Sequence, residues 1–146
     1  MAPSWPAQTF KFKPLSLVPT LEATVGNERG SREVNFLVDT GAAYTIIPLG
    51  SVAALLEDLP QQTALRQVGG NAQDMSGNPL MGFRIKLKIG ISQACSYDEP
   101  DVWLVPEAAW AVLGAKNFFY RHGLIVWNWP GCAKGRRFSI FQRRRY

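Results

Sequence analysis

The sequence predicts an all-β chain whose sheet closes on itself and carries one or two short helices. Three observations lead there. Short apolar stretches with period-two alternation recur along the chain. Turn-forming segments separate them, with 13 Gly and 10 Pro among 146 residues. Helical spacing is confined to two brief segments. The length fits one domain, and a hydrophobic content of 47% is enough for a core of its own.

Residues 1–14, with Pro3, Pro6 and Pro14, read as an extended N-terminal arm, residues 15–141 as the folded domain, and 142–146 as a basic C-terminal tail. Residues 15–25 form a first strand interrupted by Pro19. The polar, glycine-bounded segment 26–31 is a hairpin loop. Val34, Phe36 and Val38 alternate with Asn35 and Leu37, so both faces turn apolar toward Asp39, as in a strand entering the interior. Residues 44–48 make another short strand. Val52, Leu55, Leu56 and Leu59 have helical spacing, which places a helix over 51–59 with Ser51 as its cap and Pro60 as its stop. Residues 63–68 read as a strand and 69–79 as a run of turn formers. Phe83, Ile85, Leu87 and Ile89 then alternate with Arg84, Lys86 and Lys88, a half-exposed strand. Together these describe a hairpin with a glycine-rich tip, able to move over something. A strand at 102–105 follows, then a short helix at 114–122 carrying Phe118 and Phe119 inward. A strand at 124–129, a turn through Pro130, Gly131 and Gly135, and a last strand at 138–141 complete the chain.

Composition removes several function classes. No apolar run approaches the ~20 residues of a membrane span, and the N-terminus lacks a basic region followed by an apolar stretch, so no secretory signal is expected. Cys95 and Cys132 lie far apart without CxxC spacing and read as free thiols of a reducing, cytoplasmic compartment. With His122 as the single histidine, a zinc site lacks ligands; no metal and no cofactor are expected. The net charge of +5 is concentrated in Lys134, Arg136, Arg137, Arg143, Arg144 and Arg145. No RNP-type aromatic pattern or zinc-finger spacing accompanies it, so the tail reads as solvated rather than as a nucleic-acid anchor. Trp127 and Trp129 share one face of their strand and read as core or dimer packing. His122, at the end of the expected helix, would favour the helix dipole.

The chemistry concentrates in residues 36–42, Phe-Leu-Val-Asp-Thr-Gly-Ala. A carboxylate ending a buried strand at a glycine turn is poorly placed for stability, although an isolated Asp there is also what a turn cap looks like. Asp58, Asp74, Asp98 and Asp101 are not followed by Thr-Gly or Ser-Gly, so the motif occurs once. Activation of water by carboxylates needs a pair of acids. Like charges about 3 Å apart cannot both ionise, so one acid donates a proton while the other accepts one.

Leu37-Val38-Asp39-Thr40-Gly41-Ala42 resembles the active-site strand of retropepsin-like aspartic proteases. The downstream Val112-Leu113-Gly114-Ala115-Lys116-Asn117-Phe118-Phe119, followed by Gly123-Leu124-Ile125, is similar to that family's hydrophobic-Gly segment, short helix and closing strand. The glycine-rich hairpin stands where the family carries its flap. The ending Phe138-Ser139-Ile140 resembles bacterial and archaeal members more than viral ones. The resemblance implies a homodimeric barrel in which Asp39 of each chain activates one water to cleave a peptide or protein substrate. Thr40 would bond across the dimer and hold the carboxylates coplanar, and Gly41 would let a substrate strand approach. Gly41, Ala42, Ala43, Gly69 and Gly70 would bind substrate, with Gly69-Gly70 as first choice for the flap tip and residues 75–77 as second. Tyr44 and Ile46 belong either to the substrate groove or to the core. One departure stands out: where the family commonly carries an acidic residue, this chain has Ala43. A dimeric module that binds peptides without cutting them, and a nucleic-acid binder acting through the tail, are the rival readings.

Overall fold

The computed structural model describes residues 7–11, 20–39, 41–57, 64–69, 72–74, 76–92, 95–119, 122–127 and 137–142. In chain order its strands are β1 (Ala7–Lys11), β2 (Thr20–Asn27), β3 (Gly30–Val38), β4 (Thr45–Pro48), β5 (Arg66–Gln67), β6 (Met81–Ser92), β7 (Cys95–Val105), β8 (Ala111–Leu113), β9 (His122–Trp127) and β10 (Arg137–Gln142). A short helix α1 (Leu49–Val52) follows β4.

The strands β2-β3-β8-β4-β7-β6 hydrogen-bond in that order, and β2 also pairs with β6, which closes a six-stranded barrel. The all-β closed architecture expected from the turn spacing is the one observed. β5 extends the sheet beyond β6, and β1, β10 and β9 form a second, three-stranded sheet. Closure removes the exposed edges that a sheet of this size would otherwise present.

The alternation seen in the sequence fixes which faces point inward. Leu21, Ala23 and Val25 of β2 and Val34, Phe36 and Val38 of β3 are buried, with the residues between them exposed or half-buried. The β2–β3 turn is tighter than the expected 26–31 loop. Asn27 pairs with Gly30, leaving only Glu28 and Arg29 to turn the chain. Gly30 takes φ 142°, which a side chain would oppose. The Asn27 side chain accepts from the Arg29 amide at 2.9 Å and donates to the Leu55 carbonyl at 2.9 Å, tying the hairpin to the end of the helical segment.

Four expectations need correction. The helix is not 51–59 but α1 plus a 3-10 turn, Ala53–Leu55. It starts directly from Pro48, and Ser51 makes no capping bond. Val52 and Leu55 are both fully buried at a spacing of three, which suits the tighter turn, and Leu56 has already left helical geometry. The strand expected at 102–105 begins at Cys95. Pro100 and its acidic neighbours disguise its start, and the β6–β7 register shifts between Ile85 and Leu87, opposite Pro100, where a bulge tolerates a residue with no amide hydrogen. The strand expected at 63–68 shrinks to Arg66–Gln67. The helix expected at 114–122 is a single π-helical turn, Ala115–Phe119, so His122 opens β9 and is not at a helix end. Phe118 is fully buried, as expected.

Ala7–Lys11, within the arm, runs antiparallel to β10. Thr40, Gly70, Pro60, Trp129, the 130–135 turn and the Arg143–Arg145 run lie outside the described residues. Among the described residues no helix is long and apolar enough to cross a membrane, and no group of three or more His, Cys, Asp or Glu side chains could hold a metal ion.

A main core fills the barrel around Phe36, Ile47, Leu87, Leu104, Leu113 and Phe118. A second cluster, Ile46, Val68, Trp103 and Val105, lies outside it, with Tyr44, Ala72, Leu80 and Ala108 packed around it. Val68, Ala72 and Leu80 belong to the β5–β6 hairpin, so this cluster docks the hairpin against the barrel. Full burial of Val68 alone contributes about 1.5–3 kcal/mol to that docking.

Candidate active site

The site grows out of a crossover. β3 and β4 are consecutive in sequence but flank β8 in the sheet, so residues 39–44 must pass over the end of β8. β3 runs parallel to β8 with Val38 opposite Leu113, and one residue later the Asp39 amide donates to the Leu113 carbonyl at 3.1 Å. A turn then forms: the Ala42 amide donates to the Asp39 carbonyl at 3.2 Å, and the Gly41 amide donates to Asp39 Oδ1 at 2.8 Å. Asp39 itself is exposed. The bond from Gly41 is the one a turn-capping Asp would make. The crossover adds two bonds to the Asp39 backbone, from its amide to Leu113 and from Ala42 to its carbonyl, so the residue is fixed on both sides of its Cα while its carboxylate stays at the barrel surface.

The helical turn after β8 locks the other end of the loop. Ala115 and Lys116 donate their amides to the carbonyls of Ala42 and Ala43 at 2.7 and 2.9 Å. The buried Thr45 hydroxyl accepts from the Gly114 amide at 3.3 Å. Gly114 lies directly under Tyr44: a Cβ there would come within 2.3 Å of the Tyr44 carbonyl oxygen. The Leu-Gly pair picked out in the sequence is thus the point where the loop crosses the strand.

Gly41, Ala42, Ala43 and Gly69, named from the sequence as substrate-binding, line one small pocket with Tyr44, Ile46, Val68 and Ala72, about 170 Å³ in volume. Tyr44 and Ile46 line this pocket and also pack into the second cluster. Gly69 is not the hairpin tip. Val68 donates to Leu80 at 2.8 Å, Leu80 to Ala72 at 3.0 Å, and Gln73 pairs with Pro79. The turn is at residues 74–78, where Asp74 Oδ1 accepts from Ser76 and Asn78 and Gly77 takes φ 82°. Hydrogen bonding from Asn78, with a further bond from Ser76, outweighs desolvation and holds the Asp74 carboxyl below its ordinary range. Of the second choice, 75–77, Ser76 and Gly77 fall within this turn and Met75 lies outside the described residues. Gly69 is the hairpin's shoulder, so close to the Tyr44 ring that a Cβ would meet it at 2.7 Å.

Sequence reasoning missed an ion cluster beside the pocket. Asp101 of β7 is buried and pairs with Arg84 of β6 and with Lys116, whose Nζ lies 3.3 Å from Asp101 Oδ2. Lys116 also stands over the Tyr44 ring, 4.9 Å from its centroid, and Trp103 meets that ring edge-on at 6.4 Å. Desolvation pushes the Asp101 carboxyl up, but the bonds and charges of Lys116 and Arg84 outweigh it and leave Asp101 below its ordinary range. The sign of the pH effect follows. A depressed folded-state pKa contributes stability that is present above the ordinary carboxylate pKa and lost as pH falls through the depressed one. The melting-temperature gap between the protein and its Asp101→Asn variant is therefore expected to be constant at neutral pH and to close below about pH 4, which thermal melts across that range would read. A gap unchanged at acid pH would contradict the assignment.

No protein-family model and no curated protein matches the sequence. Solved structures do. A retropepsin-like aspartic protease from Rickettsia conorii superposes with a TM-score of 0.62 at 14% identity, over 99% of this chain and 98% of that one. The EIAV protease complexed with the inhibitor HBY-793 gives a TM-score of 0.51 at 16% identity, over 74% of this chain and 91% of that one. With its six-stranded closure and its loop crossing over β8, the chain has the retropepsin-like fold.

Proposed function

We propose that the protein is a homodimeric aspartic endopeptidase. The observation that carries this reading is the placement of Asp39: exposed, at the end of a buried strand, braced by Leu113 and Gly41, and adjoining a pocket shared by the crossover loop and the hairpin. Two copies of Asp39, one from each chain, form the acid pair. One carboxylate takes a proton from water as the oxygen attacks the scissile carbonyl, while the protonated partner donates to the carbonyl oxygen. No covalent intermediate is required. Thr40 follows the acid and supports its orientation from the partner chain. The substrate lies extended, bonded through its main chain near Gly41, Gly69 and Gly70, with side chains reaching toward Ala42 and Ala43. A twofold axis through the site makes the two contributions identical.

Ala43 supports one rival, a dimeric module that binds peptides without cutting them, because the pocket lining presents no charged side chain to a substrate backbone. A peptide-library digest from about pH 3 to 8, with and without a pepstatin-like inhibitor, separates the two. The endopeptidase reading requires inhibitor-sensitive cleavage. Tight inhibitor binding with no cleavage at any pH would instead establish the binding module.

A further inference from the structure

The chemistry assigned to Asp39 leaves the ion cluster around Asp101 unused. Its charges are arranged in layers. The acids lie inside: Asp101 is 7% exposed, and behind it Glu99, 1% exposed, accepts the Asp101 amide at 3.1 Å. The cations lie outside, with 61% of the Arg84 side chain and 44% of the Lys116 side chain open to solvent. Both cations contact the same carboxylate, so neither has an acid to itself in that contact. The groups of the cluster that face solvent are therefore the two cations.

That face adjoins the pocket. Lys116 donates its amide to Ala43 and holds its ammonium over Tyr44, and Ala43 and Tyr44 are both pocket walls. Arg84 lies opposite Trp103 in the β6–β7 pair, and Trp103 meets the same Tyr44 ring. The pocket lining itself is glycine, alanine, valine, isoleucine and tyrosine, with no acid to repel an anion. From this juxtaposition we infer that Arg84 and Lys116 form a subsite for an acidic side chain of an extended peptide, next to a pocket that takes a small apolar one. This rests on the reading of the Asp39 site as a peptide site. It makes Lys116 and Arg84 determinants of specificity, not of the water chemistry.

The test uses binding, so that it does not depend on catalysis. Asp39→Asn protein is titrated with fluorescent peptides amidated at the C-terminus, in pairs that differ by Glu against Gln at each position in turn. At one position the Glu peptide is expected to bind about five- to tenfold more tightly at low salt. The advantage should shrink as salt is added. It should disappear when Arg84→Gln and Lys116→Met are combined, and survive in Lys116→Arg, which keeps the charge and covers the case of a Met variant that fails to fold. Equal affinities at every position, no binding of either peptide, or a preference that persists in the double variant would each overturn the subsite. Wild-type cleavage of the same pairs tells the two readings apart. Equal cleavage of Glu and Gln peptides removes the subsite and leaves the endopeptidase. A Glu preference in binding with no cleavage by the wild type keeps the subsite and removes the endopeptidase.

Discussion

Replacing Asp39 by Asn is expected to lower kcat/KM for peptide cleavage at least about a thousandfold, with the barrel unchanged. The amide is nearly isosteric, and its oxygen can still accept the Gly41 hydrogen bond that Oδ1 accepts at 2.8 Å. Asp39 is exposed, so the substitution empties no cavity and strands no buried charge. Its effect on unfolding free energy should stay within about 0.5 kcal/mol, the usual range for surface positions. An amide cannot take a proton from water, however, and cannot share one with a partner carboxylate. Cleavage assays beside a thermal melt read both halves. Activity surviving in purified Asp39→Asn protein would sink the assignment.

The largest expected effect on stability belongs to Gly114→Ala. The added methyl carbon would lie 2.3, 2.4 and 2.7 Å from the Tyr44 oxygen, carbonyl carbon and nitrogen. These are backbone atoms of a loop fixed by bonds to Ala115 and Lys116 and by Gly114's own bond to Thr45. Neither side can yield without breaking part of the crossover. Overpacking of this kind costs about 3 kcal/mol, equivalent to a fall in Tm of about 10 °C for a chain of this size. Activity should fall as well, because the Asp39–Leu113 bond sits on the same crossing. Gly50, where a Cβ would meet nothing within 4 Å, is the control. If Gly114→Ala melts with the wild type, the crossover is looser than described.

The comparison of sequence with structure divides along physical lines. Alternation made β3 and β6 legible, because Val34, Phe36 and Val38, and likewise Phe83, Leu87 and Ile89, are buried in turn. The motif at Asp39 and the Leu113-Gly114 pair were picked out by their resemblance to the retropepsin-like pattern, and they meet at one crossing, where the Asp39 amide donates to the Leu113 carbonyl. β8 was not read as a strand, since Ala-Val-Leu is too short to show a period. The first half of β7 was hidden because Tyr97, Glu99 and Asp101 are buried, two of them acids. Buried charge breaks the apolar rule, and the same acids anchor the cluster proposed to select substrate. The hairpin tip was misplaced for a related reason. Glycine pairs suggest turns, but Gly69 is glycine because the Tyr44 ring leaves no room for a side chain, while the turn is built by Asp74 and Gly77.

The central claim is that one site is shared by two chains, and mixing subunits tests it most directly. Wild-type and Asp39→Asn chains are co-refolded at varied ratios, and cleavage is measured at constant total protein. If every working site needs Asp39 from both chains, activity follows the square of the wild-type fraction, and an equal mixture retains about one quarter of the wild-type rate. A linear decline, with about half the rate in the equal mixture, would mean that each chain carries its own complete site, and the shared acid pair would be wrong.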